Sequence, residues 1–168
     1  KRNLDLYSVT LPSGVAIELR NDEHNFIQKE VIEQFLPRFG SDCRVLYIGD
    51  SSDRILFCDE DSFAKLKIPA PSTGELPDIV AYSDDKNWLY FIEAVHSSNP
   101  IDILRKDRLT QLLRKSDVDP IFVSAFKDRE AAKPFLLDIA WETEVWLTDQ
   151  PDHMIHLNGD KFLGPYSE

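Results

Sequence analysis

Pro77-Asp78 heads one strand-like stretch, Ile79–Tyr82, and Glu93 lies near the far end of the next, Trp88–Val95. Ser83-Asp84-Asp85-Lys86-Asn87 joins them and reads as a hairpin loop. Folding that hairpin brings the two acids together. Side chains alternate between faces along a strand, so Leu89, Phe91, Glu93 and Val95 share one face. A carboxylate among three apolar neighbours is costly to bury unless something compensates it. A divalent cation is one such partner, and Arg or Lys is the other. Two carboxylates at the ends of neighbouring strands can hold Mg²⁺, with waters and phosphate oxygens completing its shell. In the plainer alternative, Asp78 caps a turn and Glu93 meets a basic side chain.

Other residues bear on that chemistry. Pro100 stands at a favoured helix start, and a helix is expected from there to about Lys115. On its wheel Ile101, Leu104, Arg105, Arg108, Leu109 and Leu112 fall on one face. Arg105 is thus inward, where a guanidinium wants a carboxylate or a phosphate, unless it snorkels to water. Residues 100–116 carry five Lys or Arg against Asp102 and Asp107, a local positive excess in an acidic chain. Glu30 and Glu33 read as a solvated helix face, although a first helix can lend an acid to a nuclease metal site. His153-x-x-His156 lacks a third clear ligand and reads as fixing a turn at Asn158-Gly159. Glu142 and Glu144 flank Thr143 at a strand entry. They read either as extra acids for the metal region or as a solvated edge. No Gly-x-Ser-x-Gly and no glycine-rich phosphate loop occurs, which argues against a serine triad and an NTPase.

The elements that must position these residues follow from pattern. A helix is expected over 25–39, with Asn25 as N-cap and Gly40 at its end. Arg44–Asp50 is too continuously apolar for a one-sided strand, so it reads as a central one. Val15–Leu19, Ile55–Cys58, Ile121–Phe126 and Glu144–Leu147 read as further strands, 128–138 as a helix, and Pro69 to Gly74 as a loop. Helices alternate with strands only in the second half. The expected fold is therefore α/β, with a mixed sheet flanked by helices.

Composition bounds the function. The 168 residues carry 30 Asp and Glu against 19 Lys and Arg, a net charge of −11. This opposes a simple electrostatic DNA or membrane binder but not a nuclease, whose cation site needs carboxylates. Two cysteines exclude a disulfide framework and a zinc cluster, and a reduced, cytoplasmic setting is the default. No apolar run is long enough to span a membrane. The first residue is Lys and no signal-peptide pattern follows. Residues 1–22 are therefore expected to be an arm or linker from an upstream domain, and 23–168 the domain itself.

Several motifs together resemble the carboxy-terminal catalytic domain of the BsuBI/PstI type II restriction endonucleases. They are Tyr47-Ile48-Gly49-Asp50, Leu76-Pro77-Asp78-Ile79-Val80, Ile92-Glu93-Ala94-Val95 and Ser124-Ala125-Phe126. Further on come 139–146 (IAWETEVW), Asp152-His153-Met154-Ile155-His156, Asn158-Gly159-Asp160 and Phe162-Leu163-Gly164-Pro165. The likeness runs from about His24 to Tyr166. It implies the PD-(D/E)xK nuclease fold, a restriction-endonuclease-like mixed β-sheet flanked by helices. It implies Mg²⁺-dependent hydrolysis of double-stranded DNA, Mn²⁺ substituting, with Asp78 and Glu93 as metal ligands and the Ala94 carbonyl assisting. Glu30 would be a second-metal acid, Arg105 a phosphate clamp or cation substitute, and Lys106 its reserve. The family's named members cut the palindrome CTGCAG, which implies a homodimer, and carry an upstream DNA-binding region. Two departures stand out. Val95 occupies the position where the common nuclease motif has Lys, and Ser97-Ser98-Asn99-Pro100 stands where the family tends to show Ser-His-Gly-Pro.

Overall fold

The computed structural model describes residues 5–50, 54–71 and 75–157. Its centre is a seven-stranded sheet in the order β4-β3-β5-β6-β7-β8-β9. The strands are β3 (Cys43–Gly49), β4 (Ile55–Cys58), β5 (Ile79–Ser83), β6 (Trp88–Ala94), β7 (Asp119–Phe126), β8 (Thr143–Leu147) and β9 (Met154–Leu157). β6, β7 and β8 are parallel, while the other pairs are antiparallel. The expected mixed sheet is present. Among the described residues no helix is long and apolar enough to cross a membrane.

The central strands are continuously apolar because both faces are covered. Ile48, Ile79, Ala81, Tyr90, Ile92 and Ala94 meet α1 (Glu23–Glu30), which continues through a π-helical stretch (Val31–Phe35) into α2 (Leu36–Phe39). Val80, Leu89 and Phe91 face the other way, against Phe63 of α3 (Glu60–Lys65) and Ile101 and Leu109 around α4 (Ile103–Leu112). This is the period-two division of a doubly covered sheet. The β5–β6 hairpin pairs Ile79 with Ile92 and Ser83 with Trp88. Its loop closes at Asn87 in the left-handed region (φ 60°), which Asn tolerates better than most residues.

Several expectations need correction. The first helix begins at Glu23, two residues earlier than expected, because Asp22 is the N-cap and accepts from the Asn25 amide at 2.8 Å. Asn25 is instead buried, donating to the Arg20 carbonyl at 2.9 Å. α4 starts at Ile103 behind the cap Asp102 and ends at Leu112, inside the expected span. Leu104 and Arg108 are exposed and off the inward stripe, since the helix presents only one narrow edge to the sheet. The stretch 128–138 is one short helix, α5 (Arg129–Ala132), followed by a 3₁₀ turn (Lys133–Phe135). β9 and α3 escaped the pattern reading. α3 is six residues long and is set by the Asp59 cap, which accepts from the Ser62 amide.

Within the expected arm, β1 (Leu6–Thr10) pairs with β2 (Ala16–Arg20), and Val9, Leu11 and Leu19 are buried in the same cluster as α1. The turn near Asn158-Gly159 and the motif 162–165 lie outside the described residues.

Candidate active site

β5 and β6 set the site by register. Ile79 pairs with Ile92, so Asp78 stands opposite Glu93 one step further along. The Asp78 amide donates to Glu93 Oε1 at 3.2 Å, and the Ala94 amide donates to Asp78 Oδ2 at 2.7 Å. The other oxygen of each acid meets a base. Arg105 Nε lies 3.4 Å from Glu93 Oε2, and His24 Nε2 lies 3.1 Å from Asp78 Oδ1. Each of the four carboxylate oxygens therefore receives a donor.

The supports come from three elements. Arg105 is aimed by the first turn of α4, where its amide donates to the Asp102 cap at 2.8 Å, and its guanidinium also donates to the Leu76 carbonyl at 3.0 Å. The loop leading into α4 is pinned by the buried Ser124 of β7, whose hydroxyl accepts from the Ile101 amide at 3.0 Å. α1 supplies His24 and, one turn on, the buried Gln28. The Gln28 amide donates to the Gly49 carbonyl at 2.6 Å and to the Asp78 carbonyl at 3.4 Å. Both polar residues sit on the same inward stripe as Ile27 and Val31. A polar pair four apart on an apolar stripe is the signal by which sequence reading could have found them.

The electrostatics follow from enclosure. Burial pushes the Glu93 carboxyl well above the usual range, and the charge of Asp78 and a hydrogen bond with it add to the rise, with Arg105 opposing. Burial by itself lowers His24, but its hydrogen bond and attraction to Asp78 outweigh that and leave it raised. The acid pair faces a cleft of about 400 Å³ whose wall includes Tyr47, Asp50, the 97–100 loop and Arg108. Asp50 is occupied by Arg54, at 2.7 Å.

Other expected residues lie elsewhere. Glu30 is not on the cleft wall; its neighbours are Glu33, Lys29 and Arg38, and burial with the Glu33 charge raises its carboxyl. Lys106 turns away from the acid pair, donating to the Trp141 carbonyl at 2.9 Å and pairing with Glu142 at 3.7 Å. One step along a helix rotates a side chain by about 100°, so Arg105 and Lys106 cannot both face the cleft. Glu144 hydrogen-bonds His156 across β8 and β9, so neither Glu142 nor Glu144 joins the acid pair. Val95 is 2% exposed in a cluster with Phe126 and Val145, and no cation stands at that position.

The chain as a whole has counterparts among known proteins. A family model described as the BsuBI/PstI restriction endonuclease domain matches residues 7–160. The chain belongs to the BsuBI/PstI restriction endonuclease family. Within it, the chain is 37% identical over 166 residues to the type II restriction enzyme BsuBI of Bacillus subtilis, covering 99% of this chain and 52% of that protein. It is 33% identical over 170 residues to the type II restriction enzyme AplI of Arthrospira platensis, covering 97% and 52%. The solved SdaI restriction endonuclease superposes with a TM-score of 0.86 at 38% identity, over 97% of this chain and 51% of that one. The expected restriction-endonuclease fold is thereby borne out. The chain spans about half the length of the BsuBI/PstI relatives it matches.

Proposed function

We propose that this chain carries the catalytic centre of a type II site-specific deoxyribonuclease that hydrolyses phosphodiester bonds in double-stranded DNA with a divalent cation. The observation that carries this reading is the acid pair, Asp78 braced against Glu93 at the mouth of a cleft also lined by Arg105 and Arg108. Two enclosed carboxylates in hydrogen-bond reach of each other repel; burial first and the Asp78 charge second raise Glu93 against the pull of Arg105, and a cation between the two acids would offset both. An oxygen-only donor set with just two carboxylates suits Mg²⁺, which keeps waters and takes phosphate oxygens for the rest; Mn²⁺ accepts the same set. Among the described residues no group of three or more His, Cys, Asp or Glu forms a fuller cage.

Asp78 and Glu93 would hold the cation, with the Ala94 carbonyl at the strand end as third ligand. When bound, the cation lowers the pKa of water and offsets charge on the phosphate. The protein's own groups do the remainder. Arg105, on a hydrogen-bonded helix start, presents a planar donor to the phosphate oxygens and screens Glu93. The water would give up a proton to solvent as its oxygen bonds to phosphorus and the bond to the leaving sugar oxygen breaks, and that leaving oxygen would collect a proton from solvent. The pinned 97–102 loop forms one wall and keeps Arg105 in register.

A palindromic target such as CTGCAG demands two such centres related by a two-fold axis, hence a homodimer. An upstream DNA-binding region in the longer protein would offset the net acidity. The test is Mg²⁺-dependent cleavage of plasmid DNA by the full-length protein and its Glu93→Ala variant. Cleavage by wild type alone supports the assignment, and equal cleavage by both removes it. The buried Val95 favours a second reading, a recognition module that binds metal and DNA but never cuts. Metal binding without cleavage across many DNAs would select it, and branched substrates would reveal a structure-selective nuclease.

A further inference from the structure

His24 reaches the acid pair from the layer opposite Arg105. α1 packs on the face bearing Ile79 and Ile92, whereas α4 packs on the face bearing Leu89 and Phe91. The two bases divide the acids between them, His24 on Asp78 at 3.1 Å and Arg105 on Glu93 at 3.4 Å. The imidazole is itself held. Its Nδ1 lies 3.2 Å from Asn25 Oδ1, and the Asn25 amide is anchored on the Arg20 carbonyl at 2.9 Å. A chain of fixed groups thus runs from the end of β2 through Asn25 and His24 to one carboxylate oxygen. Such a chain is unneeded merely to fasten α1 to β5, because Gln28 already ties the helix to the backbone at Gly49 and Asp78.

We propose, on the nuclease reading above, that His24 is a positioning residue for the cation site: its ring N–H sets the plane of the Asp78 carboxylate, as Arg105 sets that of Glu93. A cation with only two carboxylate ligands depends on their orientation, since a rotated carboxylate directs its lone pairs away from the shared position. Groups hydrogen-bonded to metal ligands typically change metal affinity by ~10–100-fold when removed. His24 touches the reacting atoms only through Asp78, so its loss acts first on cation binding.

The test is calorimetric titration of the 168-residue chain with MnCl₂, for wild type, His24→Asn, His24→Ala and His24→Gln, beside melting curves in EDTA. Asn and Ala fall short of Asp78, while Gln carries an amide donor over a comparable reach. The expected result is about a tenfold or greater loss of Mn²⁺ affinity in the two short variants, recovery to within ~threefold in His24→Gln, and similar melting in EDTA. Short variants that bind Mn²⁺ as wild type does overturn the proposal, as does a His24→Gln loss equal to theirs. Loss of the metal-free fold in both short variants makes His24 structural and overturns it too. A wild-type chain that takes up no Mn²⁺ sinks the metal reading first, and the role of His24 with it.

Discussion

Asp78 and Glu93 brace each other reciprocally: the Asp78 amide donates to the Glu93 carboxylate, and the amide following Glu93, that of Ala94, donates to the Asp78 carboxylate. The antiparallel register places two like charges in an enclosed space and fixes both. The pair is costly by itself, and that cost makes its behaviour measurable.

Glu93→Gln keeps the shape but removes one charge. Because the Glu93 carboxyl is raised above 4.5, its contribution to stability is full below that pH and is lost as pH rises through the folded value. In chelator, wild type and variant should therefore melt alike near pH 4.5, with the variant pulling ahead toward pH 8. The gap in melting temperature grows as pH climbs past the folded value of Glu93. Differential scanning calorimetry across pH checks this, and a gap independent of pH contradicts it.

Arg105 and Lys106 should separate cleanly in cleavage. Arg105→Ala, in the full-length protein, is expected to lower single-turnover cleavage by about 10²-fold or more, the usual loss for one donor at a reacting phosphate or oxyanion. Arg105→Lys should recover only part, since an ammonium cannot bridge Glu93 and the Leu76 carbonyl as the fork does. Lys106→Met should cut at nearly the wild-type rate, because Lys106 is held at Trp141 and Glu142. A Lys106→Met loss as deep as that of Arg105→Ala would reverse these roles.

Both thiols should be less reactive in the native protein than a free thiol, Cys43 most of all. Burial pushes Cys43 up to about 12, and burial likewise raises Cys58, so little thiolate exists at pH 8. A disulfide reagent at pH 8 should label Cys43 only after denaturant is added and Cys58 more slowly than a free thiol. Fast native labelling of Cys43, read by mass spectrometry, would contradict its placement.

Trp146 anchors β8 beneath the helical layer. It is fully buried, packs edge-on against Phe35 at 5.5 Å, and donates from its indole to the Pro151 carbonyl at 3.1 Å. Trp146→Ala is expected to cost about 3–5 kcal/mol in denaturant unfolding, and Trp146→Phe clearly less. Equal stability of all three proteins would mean that the core does not rest on this ring.

The acid pair was legible from sequence because its determinants are local. A short loop between two apolar stretches, four residues long once Ser83 pairs with Trp88, leaves little choice of pairing, and alternation fixes which face each acid takes. Arg105 was legible in the same way, from helical spacing. That the sheet is covered on both faces could be read from the unbroken apolar run at 44–50, although that strand, β3, stands second from the edge and not at the centre.

Tertiary structure alone decided what comes to that pair from a distance. His24 lies more than fifty residues before Asp78, and no local period records their meeting; only the packing of α1 across the sheet brings it about. The same packing keeps Glu30 off the cleft wall, and the rotation of one residue along α4 sends Lys106 to Trp141. Sequence periodicity specifies which face of an element is buried. Where along a neighbouring element that face docks is a sum over many apolar contacts, and those are settled only when the whole core closes.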